Sequence, residues 1–158
     1  MTRDQVLQEL TGRFSEAILA LWDVSPKRVY VDIDPAALVG VSTLLFRELG
    51  ARFCTASGVD TRSAVEILYH YILEPINLMV SVRVSLDRKA PLVDSLTGLF
   101  AAADFIEREI HELLGVNFRG HETPRRLLLP EQWPDDVQPL RRDYAEWDPN
   151  AVRDRGVR

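Results

Sequence analysis

Residues 64–86 read AVEILYHYILEPINLMVSVRVSL. From Ala64 to Leu73, Val65, Ile67, Tyr69 and Tyr71 fall on one side, and from Met79 to Leu86 the residues Val80, Val82, Val84 and Leu86 alternate with Met79, Ser81, Arg83 and Ser85. A period of two is the mark of a strand with one buried face. Pro75 ends the first run, because it has no amide hydrogen to give a ladder. Strand-like runs in succession read as a strand meander within a mixed or antiparallel sheet.

Moving toward the N-terminus, Ala51 to Thr55 is a further strand-like run, and Ser57-Gly58-Val59-Asp60 reads as a turn. Asp34-Pro35 has a cap residue and a proline at the first helical position. Leu38, Val41, Leu44, Leu45 and Leu49 then carry a buried helical face to Gly50. Arg28 to Asp34 alternates, with Val29, Val31 and Ile33 on one side. Val6, Leu7, Leu10, Phe14, Ile18 and Leu21 recur at helical spacing, so an amphipathic helix is expected from Asp4 to Trp22, ended by Ser25-Pro26. Beyond Pro91 the chain is expected to be helical through Leu114, with a break near Phe100. The resulting fold class is α/β or α+β: a mixed or antiparallel sheet with helices packed on one face over residues 1–115. An extended C-terminal arm, residues 116–158, comes after it and is suited to lying against a partner.

The 158 residues suit one domain, able to bury roughly 70% of the surface of its unfolded chain. Hydrophobic residues at 46% and charged residues at 27% are those of a globular protein, and a net charge of −5 argues against a surface shaped throughout for nucleic acid. Cys54 stands alone, so neither an internal disulfide nor a zinc or iron–sulfur site built on cysteines is expected in this chain. The first residues lack the apolar core of a signal peptide, and AALVGVSTLLF at 36–46 falls short of the roughly 20 residues of a membrane span. A cytoplasmic protein, meeting a membrane only through partners, is expected.

Residues 107–115, EREIHELLG, concentrate charge on a helix. Ala103, Ile106, Ile110, Leu113 and Leu114 make one apolar stripe and Glu107 falls inside its edge, so this carboxylate points inward and needs a cationic or multiply donating partner, an arginine being the natural one. Arg108 and Glu112 are spaced as an i,i+4 pair on an exposed face. Phe105 lies almost opposite the stripe and implies a second buried face, while Gly115 fits a left-handed helix stop. Three other readings stand beside this one: a plain solvated face, a general acid or base at His111, and a zinc site from Glu107, His111 and His121, whose spacing matches no H-E-x-x-H motif.

Together with its neighbours on both sides, this helix belongs to a longer stretch, DFIEREIHELLGVNFRGHETPRRLLLPEQWPDDVQPLRRDY at 104–144. The stretch resembles the signature of the complex I C-subunit family, which includes the related subunit of membrane-bound [NiFe] hydrogenases. The matching positions are Glu107-Arg108-Glu109, Gly115, Phe118, Gly120-His121, Arg125-Arg126, Leu128-Leu129-Pro130, Trp133, Pro139-Leu140-Arg141 and Asp143-Tyr144. Phe105 stands where the family has tryptophan, Glu112 where it has aspartate, and Glu122-Thr123-Pro124 where it has Pro-Asp-Leu. The N-terminal half is similar more weakly, and the short stretch after Tyr144 fits the hydrogenase-type relatives.

The resemblance implies a scaffold in the hydrophilic arm of a membrane-associated redox complex, without an active site or cofactor of its own. Its implied partners are a large catalytic subunit and an iron–sulfur small subunit, and iron–sulfur clusters, quinone or a NiFe centre would be held there. The docking residues it implies are Phe105, Glu107, Arg108, Glu109 and Glu112 on the helix. In the arm, Arg119, Arg125, Arg126, Arg141 and Arg142 would act as forked donors, beside His121 and the anchors Phe118, Trp133 and Tyr144. Glu107 would tie the helix to an arginine of the arm, Arg126 being the candidate. Two rivals are a binding module that uses the arginine-rich arm on nucleic acid, and a small metal-dependent hydrolase that uses the histidines. The acidic residues Glu122, Glu131, Asp135, Asp136 and Asp143 dilute the field the first would need.

Overall fold

Residues 1–122 and 125–144 are described in the computed structural model of the chain; Thr123, Pro124 and the arm from 145 to 158 lie outside the described residues. Thr2 opens helix α1 (Arg3–Phe14) with a capping box, its hydroxyl accepting the Gln5 N–H while its own N–H donates to the Gln5 side chain. The helix then stops well short of Trp22. Ile18 to Ser25 forms strand β1, paired antiparallel with β2 (Arg28–Ile33) through Leu21↔Val31 and Trp22↔Tyr30. Phe14, Ile18 and Leu21 satisfy a helical wheel, but partners in the next strand decide the outcome.

Asp34 accepts the Ala36 N–H at 2.8 Å and Pro35 begins a 3₁₀ turn, which runs into α2 (Leu38–Thr43) and a π turn at Leu44–Glu48. Strand β3 (Arg52–Asp60) pairs antiparallel with β4 (Ala64–Leu73), so the turn expected at 57–60 is strand and the chain reverses at residues 61–63 instead. Gly58 is there for space. A Cβ at this position would come within 2.4 Å of Leu114 Cδ1. Strand β5 (Leu78–Asp87) pairs with β4 from Ala64↔Asp87 to Leu73↔Leu78.

Where a helix is expected after Pro91, Leu92–Asp94 forms β6 instead. Only from Ala102 does helix α3 (Ala102–Leu114) begin, and Asn117–Arg119 forms β7, parallel to β6. Residues 125–144 contain neither helix nor strand.

The main sheet runs β1-β2-β5-β4-β3, with β2 and β5 parallel and the other neighbours antiparallel. Val29, Val31, Ile33, Val65, Ile67, Tyr69, Tyr71, Val80, Val82 and Val84 turn one face toward Val6, Leu10, Leu38, Val41, Leu45, Ile110 and Leu114, and all are buried. The alternation noted at 64–86 is therefore the core face of the sheet. Each such aliphatic side chain contributes roughly 1.5–3 kcal/mol when fully buried. Phe53 and Phe100 stack at 4.3 Å at the rim of this core. The opposite face carries polar links: Arg83 forks onto Asp32 and lies over the Trp22 ring, and His70 meets the Ser81 hydroxyl at 2.8 Å.

Candidate docking surface

Helix α3 lies against β3, with Ala103, Ile110 and Leu114 buried. Its stop is the expected one: Gly115 is left-handed at φ 72°, and its N–H donates to the His111 carbonyl at 2.9 Å. Glu107 points inward and is almost fully buried, but its partner is not an arginine. The Ser95 hydroxyl and the Leu96 N–H donate to its two oxygens, each at 2.6 Å. Burial pushes the Glu107 carboxyl up, and these two donors oppose the shift. A carboxylate accepts an N–H as it accepts a guanidinium fork, and in the turn after β6 the Leu96 N–H takes Glu107 as its acceptor while the Ser95 and Thr97 N–H groups go to the Arg119 carbonyl and the Ser95 hydroxyl. Arg126, the expected partner, donates to the Trp133 carbonyl and to Asp135 inside the arm.

Arg108 and Glu112 do not pair with each other on a solvated face. Glu112 is buried and accepts the N–H groups of Leu127, Leu128 and Leu129 at 2.6, 2.8 and 3.4 Å. Arg108 donates to the carbonyls of Arg125 and Arg126, both at 2.9 Å, and to Asp104 one turn back at 3.3 Å. An irregular segment without a strand neighbour must find partners for its backbone. Here two side chains one helical turn apart meet both polarities of it.

A second attachment centres on Asp60, buried at the end of β3. Arg88 forks onto it with two bonds of 2.8 Å, the Arg142 N–H donates at 2.8 Å, and Arg141 reaches it at 3.5 Å while also donating to the Arg88 carbonyl at 2.5 Å. The Arg88 fork, aided by the Arg142 N–H and the charge of Arg141, holds the Asp60 carboxyl down at about 2 in spite of burial. Leu140 N–H also donates to the Leu113 carbonyl at 3.0 Å, which closes the arm onto α3.

The other site residues are spread along the base and length of the arm. Arg119 pairs with Asp94 at 2.5 Å, and Phe118 packs against the core. His121, with a side chain 5% exposed, stands 3.4 Å from Asp104. Trp133 donates to the Val137 carbonyl at 2.7 Å, and its ring stacks on Tyr144. Glu109 and the side chains of Arg125 and Arg142 are exposed. Phe105, Leu128 and Leu140 stand out at 60%, 59% and 58% exposure. Asp60, Arg88, Ser95 and Asp104 join these attachments although the sequence did not reveal them: Asp60, Arg88 and Ser95 act through partners brought by the fold, and Asp104 meets Arg108 one turn on and His121 beyond the helix.

Among the described residues no group of three or more His, Cys, Asp or Glu is arranged to hold a metal ion. Glu107 is committed to Ser95 and Leu96, and His111 Nδ1 faces the Val116 carbonyl at 2.8 Å, so this nitrogen carries the proton. Among the described residues no helix is long and apolar enough to cross a membrane.

Residues 31–149 match the family described as respiratory-chain NADH dehydrogenase, 30 Kd subunit. The C subunit of the F(420)H(2) dehydrogenase of Methanosarcina mazei is 36% identical over 161 residues, which cover 94% of this chain and 95% of that protein. The C subunit of the NADH-quinone oxidoreductase of Roseiflexus sp. (strain RS-1) is 31% identical over 144 residues, 87% of this chain and 81% of its own. Both are named as subunits of larger enzymes. In the solved structure of the membrane-bound sulfane sulfur reductase, an archaeal respiratory membrane complex, one chain superposes with a TM-score of 0.80 over 96% of this chain and 89% of that one; at 16% identity this is a likeness of fold.

Proposed function

Because the chain belongs to the family of the respiratory-chain NADH dehydrogenase 30 Kd subunit, we propose that it is a non-catalytic scaffold in the hydrophilic arm of a complex I-related, membrane-associated redox complex. It docks a large catalytic subunit and an iron–sulfur small subunit, and those chains hold the iron–sulfur clusters and the quinone or NiFe centre. Membrane contact runs through them, on the cytoplasmic face. Of the two relatives, one is named for a quinone oxidoreductase and the other for a dehydrogenase, and neither for a hydrogenase, which supports a setting in a dehydrogenase-type complex.

The observation that carries this reading is the orientation of the arm and of α3. Backbone groups of the arm turn inward, the Arg125 and Arg126 carbonyls onto Arg108 and the N–H groups of Leu127, Leu128, Leu129 and Arg142 onto Glu112 and Asp60, while Phe105, Leu128, Leu140 and Tyr144 have side chains left outward. Large apolar side chains left outward on a segment fastened from within suit burial against another protein.

The test is affinity purification of the tagged chain from native membranes in mild detergent, with the co-eluting chains identified and the eluate assayed for quinone reduction and hydrogen evolution. Recovery with a large subunit and an iron–sulfur subunit is the expected result, and the metal content of the large subunit separates quinone reductase from hydrogenase. A lone, stable protein would remove the scaffold reading.

A further inference from the structure

Around Asp60, the turn between β3 and β4, the loop after β5 and the end of the arm come together. They form a groove of about 530 Å³ lined by Arg62, Ser63, Asp87, Arg88, Lys89 and Arg141 among others. With Arg142, whose N–H meets Asp60, this end of the sheet holds five cations against the carboxylates of Asp60, Asp87 and Asp143, on a chain whose net charge is −5. Arg88 and Arg141 are spoken for: both reach Asp60, and Arg88 also pairs with Asp143 at 3.4 Å. Asp87 accepts the Lys89 N–H at 2.9 Å and so caps its own turn. The side chains of Arg62, Lys89 and Arg142 remain. All three are exposed and without an ion pair among the described residues.

We propose that Arg62, Lys89 and Arg142 form a docking point for an acidic surface of a neighbouring protein subunit, a contact that rests on the scaffold reading and adds to it the chemistry of one partner surface. Five cations against three carboxylates leave this end of the sheet with an excess of positive charge, and carboxylates of a partner inserted there offset it. Guanidinium forks fit carboxylates with two parallel bonds. The groove favours protein over a bilayer, because Asp87 and Asp143 sit among the cations: a flat anionic surface meets those carboxylates as well, whereas side chains of a protein thread between them. The patch also continues into Leu140 and Tyr144, exposed apolar residues of the same arm.

The experiment uses the detergent-purified complex and a water-soluble carbodiimide, which joins a lysine amine to a carboxylate in direct contact, followed by mass spectrometry of the joined peptides. Lys89 is expected to be joined to an aspartate or glutamate of a different subunit. The Arg62→Glu/Lys89→Glu/Arg142→Glu variant, altered only at exposed positions, is expected to melt as the wild type does and to retain its partners roughly tenfold less well on a raised-salt wash, the scale of a few partly screened ion pairs. An assembled complex in which Lys89 joins no other subunit and the variant holds its partners like the wild type overturns the proposal and leaves the scaffold reading standing. A chain recovered alone removes both. Joining of Lys89 only to a second copy of this chain, or flotation of the wild type but not the variant with phosphatidylglycerol vesicles, also overturns it, by assigning the patch to self-association or to lipid.

Discussion

The sheet core and the arm are held by different physics. Behind the sheet, Val31, Ile67, Val82 and Leu45 are buried among other apolar side chains, and the stabilisation is non-directional and spread over many residues. The arm from 125 to 144 has no ladder, and it is fastened through a few charge-assisted bonds at Glu112, Arg108 and Asp60. Losing one core contact loosens a continuum. Losing one clamp releases a segment, because Glu112 holds three backbone N–H groups, Arg108 two carbonyls, and Asp60 both the Arg142 N–H and the Arg141 side chain. The domain is therefore expected to tolerate release of the arm, and the arm to have no independent existence without the domain.

The largest effect expected is on the core. Ile67→Ala removes a fully buried side chain from the central hairpin and should lower stability by about 3 kcal/mol, read as a fall in thermal midpoint by circular dichroism, with the arm lost in the same transition. Asp60→Ala should separate the two regions. It leaves Arg88 and Arg141 without their shared acceptor, at a cost of about 2 kcal/mol to arm closure. Cleavage within 125–144 under limited proteolysis should rise roughly 30-fold, with a smaller change in thermal midpoint than for Ile67→Ala. Equal shifts in both readouts would show that core and arm are one cooperative unit.

Acid should sharpen the same contrast. Asp60 has a folded-state value of about 2, below its ordinary 3.8, so its contribution is complete above pH 4 and is lost as pH falls toward 2, a change of about 2 kcal/mol. Glu107 is raised, so its own proton linkage has the opposite sign and favours the fold as pH falls. Arm proteolysis between pH 5 and pH 2.5 should therefore steepen in the wild type and stay flat in Asp60→Asn. The smallest effect is expected from Arg52→Ala, which removes an exposed pair with Glu74 and should shift stability by less than about 0.5 kcal/mol.

Features set by local pattern were readable in the sequence. The alternation at 64–73 and 79–86 marks the core face of β4 and β5, Asp34-Pro35 marks a helix start, and Gly115 marks a helix stop, because each depends on residues within a few positions. What depends on distant partners was not readable. Ile18 and Leu21 fit a helical wheel until β2 claims them, and Gly58 mimics a turn although its purpose is to admit Leu114. At the site, the inward turn of Glu107 comes from the wheel, but its donors at Ser95 and Leu96 leave no trace in spacing. The apparent Arg108–Glu112 pair dissolves once arm backbone needs both side chains. Asp60 gave no signal, since its arm partners lie 81 and 82 residues away.

The parallel pairing of β2 with β5 has a consequence for the order of assembly. Asp32 and Arg83 are 51 residues apart, so the β1–β2 hairpin cannot join the sheet until β5 has been made, whereas β4 and β5 can zip together as soon as both exist. The Asp60 clamp closes later still, once Arg141 and Arg142 have left the ribosome. A nascent chain therefore completes its sheet before its arm is fastened, and for that interval the surface offered to a partner is still unmade.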